Sequence, residues 1–242
     1  MTTERVALVT GASRGIGRAT AVALAREQTH VILVARAHDE LETIAREIRA
    51  NGGGATVFPL DLRDFAKIDL LAQEIGAQWG RLDALLGNAG IKGPHKTVAT
   101  LDPAALTEAI DVNAISNFRL IRAFDPLLRR SPAGRVVFVS SNCAVYHLPE
   151  VVCYQASKAA LESIVLTYAT ECKDTAIRVN IFRPGGTRTD MAVKWFRGSD
   201  EYLTLKAPEE VAPQIVALLR PDCTQTGEVI FYPGTEPAIA AQ

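Results

Sequence analysis

The stretch "VALVTGASRGIGRATAVALA", residues 6–25, decides the fold. It opens as an unbroken apolar run, passes through Gly11, Gly15 and Gly17, and ends in a segment rich in alanine. The three parts predict a strand buried on both faces, a turn that needs backbone freedom, and the first turns of a helix.

Six more short apolar runs follow: "VILVA" from 31, "TVFPL" from 56, "LDALLG" from 82, "RVVFVS" from 135, "IRVNIF" from 177 and "EVIFY" from 228. Helical stretches separate them, such as "HDELETIAREIRANGG", with His38 and Asp39 at its start and Asn51 and Gly52 at its end. Strands alternating with helices predict right-handed βαβ units. The expected architecture is α/β, a Rossmann-like doubly wound parallel sheet of about seven strands with helices on both faces. No linker, repeat or low-complexity tract interrupts residues 1–242, so one domain is expected. The segment from 185 to 208 lacks a clear strand or helix pattern. It follows the sixth strand, where ligands of open α/β sheets bind, so a substrate lid is expected around 186–207.

Composition excludes several classes of function. Apolar residues make up 48% and charged residues 22%, with a net charge of −1, which gives no bulk attraction for nucleic acid or an anionic membrane. No apolar run is long enough to span a bilayer, and strand-forming sequence begins right after "MTTER", so a cytoplasmic protein is expected. Cys143, Cys153, Cys172 and Cys223 have neither disulfide-framework nor metal-type spacing, and no metal site is expected.

The glycine spacing is G-x-x-x-G-x-G rather than the commoner G-x-G-x-x-G, yet the physical logic carries over. Glycines let the backbone approach a pyrophosphate, which sits on unpaired N–H groups at the positive end of the helix. A structural turn uses the same residues, but the position at the first strand-to-helix junction favours a dinucleotide. An NAD site places an acid at the end of the second strand to hold the ribose 2′-hydroxyl. Here Ala35 and Arg36 stand there, with Arg14 in the glycine loop. An acid would repel a 2′-phosphate and a guanidinium would grip it, so NADP(H) is expected, with NAD(H) the less favoured cofactor.

With "TGASRGIG" at 10, "GNAG" at 87, "DVNAIS" at 111, "SS" at 140, "YQASK" at 154 and "RPGGTRTDM" at 183, the chain resembles the short-chain dehydrogenase/reductase family from residue 5 to about 232. The resemblance implies a catalytic tetrad of Asn113, Ser141, Tyr154 and Lys158. It also implies cofactor contacts from Ser13 and Ile16 in the glycine loop, from Asp61 and Leu62 to adenine, and from Asn88, Ala89 and Gly90 along the adenine ribose. Pro184, Gly185, Thr187 and Thr189 would meet the nicotinamide carboxamide or the phosphates. Asn113 would sit in a helix and hold a water that feeds protons to Lys158. Three departures stand out: Gly87 replaces a second asparagine, which should loosen that turn; the C-terminal segment lacks paired glycines; and the lid combines Trp195, Phe196 and Tyr202 with Lys194 and Arg197.

The residues support the same chemistry on their own terms. Tyr154 and Lys158 are four apart, so on a helix their side chains share a face. A phenol near pKa 10 exchanges protons poorly at neutral pH, and a neighbouring ammonium lowers it toward the working range. Tyr146 has Glu150 at the same spacing, which works in the opposite sense. Ser141 is favoured over Ser140 by strand alternation, and would stabilise charge developing on a substrate oxygen. Cys143, His147 and Cys153 are read as lining residues.

The resemblance implies an NADPH-dependent carbonyl reductase, acting in reverse as an alcohol dehydrogenase on a small-molecule ketone or secondary alcohol. A 3-oxoacyl-carrier-protein reductase is an alternative, with Arg129 and Arg130 available to an acidic carrier. Dehydratase or epimerase chemistry on the same tetrad stays open, as does a non-catalytic NADP(H)-binding or sensor protein. A homodimer or homotetramer packed through helices at 104–130 and 155–172 is also implied.

Overall fold

Seven strands form where the apolar runs fall, and a computed structural model describes them within residues 4–196 and 199–236. They are β1 (Arg5–Thr10), β2 (Thr29–Ala35), β3 (Ala55–Pro59), β4 (Ala84–Gly87), β5 (Arg135–Val139), β6 (Arg178–Arg183) and β7 (Val229–Phe231). All pair in parallel in one sheet of order β3-β2-β1-β4-β5-β6-β7. The order reverses between β1 and β4, and that switch point opens a crevice at the carboxyl ends of the strands.

Alternation along each strand builds two cores. Val6 and Leu8 of β1 point to one face, where they meet Leu85, Val136 and Phe138 and the helices α3 (Phe65–Trp79), α5 (Ser116–Leu128) and α6 (Val152–Glu171). Ala7 and Val9 point to the other face, against α1 (Gly15–Arg26), α2 (His38–Ala50) and α8 (Pro208–Leu219). Burial on both faces explains why these strands read as continuous rather than alternating apolar runs. Helix starts follow local chemistry. The Asp64 side chain accepts from the Lys67 backbone N–H at the start of α3, and Asp102 accepts from Ala104 N–H at the start of α4 (Pro103–Ile110).

Two segments differ from expectation. The lid is not patternless: it holds a short helix α7 (Asp190–Trp195) and a 3₁₀ turn over Asp200–Thr204. Six residues are too few for a helical period to show in sequence, and the helix rests on its cap, Thr189, which accepts from Ala192 N–H. Arg197 of the expected lid cluster lies outside the described residues. Asn113 lies not in a regular α-helix but in a five-residue π segment, Asp111–Ile115, between α4 and α5. No helix among the described residues is long and apolar enough to cross a membrane.

Candidate active site

The glycine loop is stapled to the end of β4. Asn88 Nδ2 donates to the carbonyls of Thr10 at 3.0 Å and Gly11 at 3.3 Å, while Asn88 and Ala89 N–H donate to the Thr10 hydroxyl. Gly11 has φ +64°, and a Cβ there would stand 2.8 Å from Asn88 Nδ2; one on Gly17 would stand 2.3 Å from the Gly11 carbonyl oxygen. Only glycine fits both positions. No side chain caps the first turn of α1, so its N–H groups face the crevice uncapped. A cradle of this kind fits a pyrophosphate.

Arg36 is exposed just past the end of β2 and hydrogen-bonds nothing among the described residues, though its charge reaches Asp61. Arg14 takes a different place: its guanidinium pairs with Asp190 of α7 at 2.9 Å, joining the glycine loop to the lid. Asp61 is likewise engaged. Arg63 donates to both of its oxygens and holds its carboxyl down at about 2, well below the usual carboxylate range. Leu62 turns into the core, and Gly15 packs against the Thr189 side chain. Pro184 is buried, and Gly185, with φ +67°, lies against Thr235. Asn142 Nδ2 donates to the Thr235 carbonyl at 2.7 Å, so the C-terminal segment walls the site without paired glycines. Thr187 is buried and bonds back to the Gly185 carbonyl.

The four predicted working residues converge. Tyr154 and Lys158 lie in the first turns of α6, 9% and 3% exposed. Lys158 Nζ donates to the Val139 carbonyl at 2.7 Å and stands 5.7 Å from the Tyr154 ring centre. Ser141 follows β5, accepts from Cys143 N–H, and lies close enough to the Tyr154 phenol to favour its charged form. Asn113 is fully buried: Oδ1 accepts from Ile91 N–H at 2.8 Å, and Nδ2 donates to the Ile91 carbonyl and to Ser157 Oγ. A Cβ on Gly90 would stand 3.0 Å from Asn113 Oδ1 and 3.6 Å from Lys158 Nζ, so that backbone lies directly on the group. Ser140, by contrast, is buried with an unpartnered hydroxyl.

The electrostatics differ from the sequence reading in one respect. Burial pushes the Tyr154 phenol up, Cys143 adds to this, and the Ser141 hydrogen bond opposes it. Burial also lowers Lys158, to about 8, and its Nζ donates to the Val139 carbonyl rather than to the phenol.

Trp195, at the end of α7, covers Tyr154 edge-on with ring centres 6.1 Å apart. Beneath it stands a residue the sequence reading missed. Lys92 is 8% exposed, lies over the Trp195 ring at 5.4 Å, donates to the Lys194 carbonyl at 2.8 Å and contacts His95 Nε2. The available signal was position, since "IKGPH" directly follows the "NAG" turn at the carboxyl end of β4. Among the described residues no group of three or more His, Cys, Asp or Glu side chains could hold a metal.

A parallel sheet whose order reverses beside a glycine cradle, with a serine, a tyrosine and a lysine gathered at its carboxyl edge, defines a doubly wound dinucleotide-binding oxidoreductase. The family model for short chain dehydrogenases matches residues 5–200, and the chain belongs to that family, whose enzymes act on CH–OH groups. It is 35% identical over 242 residues to the uncharacterized oxidoreductase YciK of Escherichia coli K12, covering 98% of this chain and 95% of that protein. It is 32% identical to the 2,3-dihydro-2,3-dihydroxybenzoate dehydrogenase of Bacillus subtilis, over 81% of this chain and 74% of that protein. Among solved structures, a short chain dehydrogenase of Escherichia coli CFT073 complexed with NADPH superposes with a TM-score of 0.89 at 34% identity, covering 96% of this chain and 97% of that one. One of Shigella flexneri, complexed with NADP, gives the same score over 94% and 96%.

Proposed function

We propose that this chain is one domain, an NADPH-dependent carbonyl reductase that runs in reverse as a secondary-alcohol dehydrogenase, with Asn113, Ser141, Tyr154 and Lys158 as its working groups. The observation that carries the reading is the convergence of Ser141, Tyr154 and Lys158 at the carboxyl edge of β5, beside the uncapped start of α1. NADPH, when bound, supplies the hydride that reaches the carbonyl carbon. Gly11, Ser13, Gly15, Ile16 and Gly17 would cradle its pyrophosphate and Arg36 its 2′-phosphate. The acids nearby, Asp39 and Glu40, belong to the first turn of α2, where they complement that helix's positive end. Asp61, Leu62 and the turn Asn88, Ala89 and Gly90 would border the adenosine. Pro184, Gly185, Thr187 and Thr189 would border the nicotinamide. Arg14 would reach a phosphate by leaving Asp190.

Ser141 would donate to the substrate oxygen as negative charge grows on it. Tyr154 would deliver the proton to that oxygen, and its high phenol pKa keeps the proton in place until then. Lys158 would stabilise the resulting phenolate and take part in returning the proton. Asn113 would anchor the Ile91 loop against α6 through its side chain. A Trp195 lid over Tyr154 would exclude water during transfer.

The acyl-carrier alternative draws no support from Arg129 and Arg130, which are paired with Asp125 and with the Gly80 carbonyl. A homodimer or homotetramer accords with Ala156, Ala159 and Ala160, small residues left partly or wholly exposed on α6. The test is NADPH consumption over a panel of ketones, acyl thioesters and keto sugars, with Tyr154→Phe in parallel. Loss of the proton donor should reduce turnover by roughly 10²-fold or more; wild-type turnover in the variant would sink the reading.

A further inference from the structure

One turn along α6 from Lys158 lies a buried ion pair. Glu162 is on α6, one turn beyond Lys158 on the same face, and is 8% exposed. Arg183 ends β6 and is 4% exposed. Its guanidinium grips Glu162 by two parallel bonds, Nε to Oε1 at 2.8 Å and Nη2 to Oε2 at 2.6 Å. The guanidinium carbon of Arg183 lies over the Phe231 ring of β7, 5.3 Å from its centroid. Two-point attachment stops the carboxylate from rotating away, so its negative charge is fixed on the helix face that Lys158 shares.

The groups facing Lys158 come from several elements. Tyr154 and Glu162 share its helix, the Val139 carbonyl at the end of β5 accepts from its Nζ, and Gly90 beside neutral Asn113 closes the other side. Arg183 of β6 faces it only through Glu162. Burial disfavours the ammonium, and the charge that favours it is that of Glu162.

We propose that Glu162, clamped by Arg183, is a positioning residue for Lys158: its fixed charge keeps the ammonium protonated where the Val139 carbonyl holds it, and the clamp ties the catalytic helix to the last strands of the sheet. The proposal rests on the reading of Lys158 as a working group. Its test is a pH titration of cofactor-free protein carrying ¹³Cε-lysine, followed by NMR, with the Lys158 signal assigned by comparison with Lys158→Arg. The wild-type midpoint is expected near 8. Glu162→Gln should lower it by about one pH unit, and Glu162→Asp should largely restore it. The alkaline limb of carbonyl reduction should move to lower pH by the same amount. If Glu162→Gln leaves Arg183 buried without a counter-charge and does not fold, Glu162→Gln/Arg183→Met removes both charges together and must still lower the midpoint, by less than the single change because the guanidinium charge is gone as well. An unmoved midpoint in whichever folded variant is titrated overturns the proposal. The two readings fail separately: full turnover in Tyr154→Phe defeats the reductase mechanism, whereas an unmoved Lys158 midpoint with an inactive Tyr154→Phe defeats only the role of Glu162.

Discussion

In the proposed function, Arg36 is the residue on which cofactor choice turns. It stands past the end of β2 in the place where an acid would hold a ribose hydroxyl, and its guanidinium hydrogen-bonds nothing among the described residues. Arg14, the other arginine expected at the phosphate, is paired with Asp190 and must give up that contact to help. The pair is exposed, so breaking it costs about 1 kcal/mol or less. A charge-assisted hydrogen bond to phosphate is worth about 1.5–3 kcal/mol, or roughly 10- to 100-fold in affinity. Arg36→Asp should therefore weaken NADPH by about that factor while leaving NADH unchanged or improved, as read by calorimetric titration of each. An unchanged ratio of the two affinities would remove Arg36 from the site.

At the scale of elements, the contact between β4 and β5 explains a substitution that the family comparison alone left as an oddity. Gly87 was expected to loosen its turn; it is instead tightly packed. Gly87 and Phe138 are partners in the parallel register, and a Cβ at 87 would stand 2.1 Å from the Phe138 ring and 2.8 Å from Asn117 Oδ1. The ring occupies the space that a larger residue at 87 would need. Gly87→Ala should destabilise the fold by about 1–3 kcal/mol, the usual penalty for overpacking. Combined with Phe138→Leu, the total cost should fall short of the sum by more than about 0.5 kcal/mol, because the smaller side chain makes room. Urea denaturation of the single and double variants measures this. Strict additivity would mean that the ring is not what excludes a side chain at 87.

For the whole molecule, the proposed cofactor site would draw on the carboxyl ends of six strands, β1 to β6, held by two cores on opposite faces of one sheet. A ligand gripping residues from so many strands stabilises the entire sheet, since unfolding any part releases it. NADPH at 100 times its dissociation constant should add about 2.7 kcal/mol. For a chain of this length that is a rise of roughly 5–10 °C in melting temperature. Calorimetry should show one transition moving as a unit, with a smaller shift for NADH at equal concentration. Two separable transitions, only one of them shifted, would count against the single domain.

The amino-acid pattern by itself determined the seven strands, the crossover helices, the glycine loop and the spacing of Tyr154 and Lys158. All of these are local: strand burial shows as an apolar run, and a helical pair shows as a four-residue interval. Even Glu162 was within reach of that rule, four residues past Lys158, though its partner was not. What joins Arg183 to Glu162, Phe138 to Gly87, Lys92 to Lys194 and Arg14 to Asp190 is contact between residues distant in sequence, up to 176 residues apart in the last case. The π segment at Asn113 belongs with them, since its side chain is held by the Ile91 backbone and by Ser157 of α6. Local periodicity sets which face of an element is apolar. Only the packed sheet sets which distant side chains share a space, and there the burial of Lys158 and the contact of Trp195 with Tyr154 were decided.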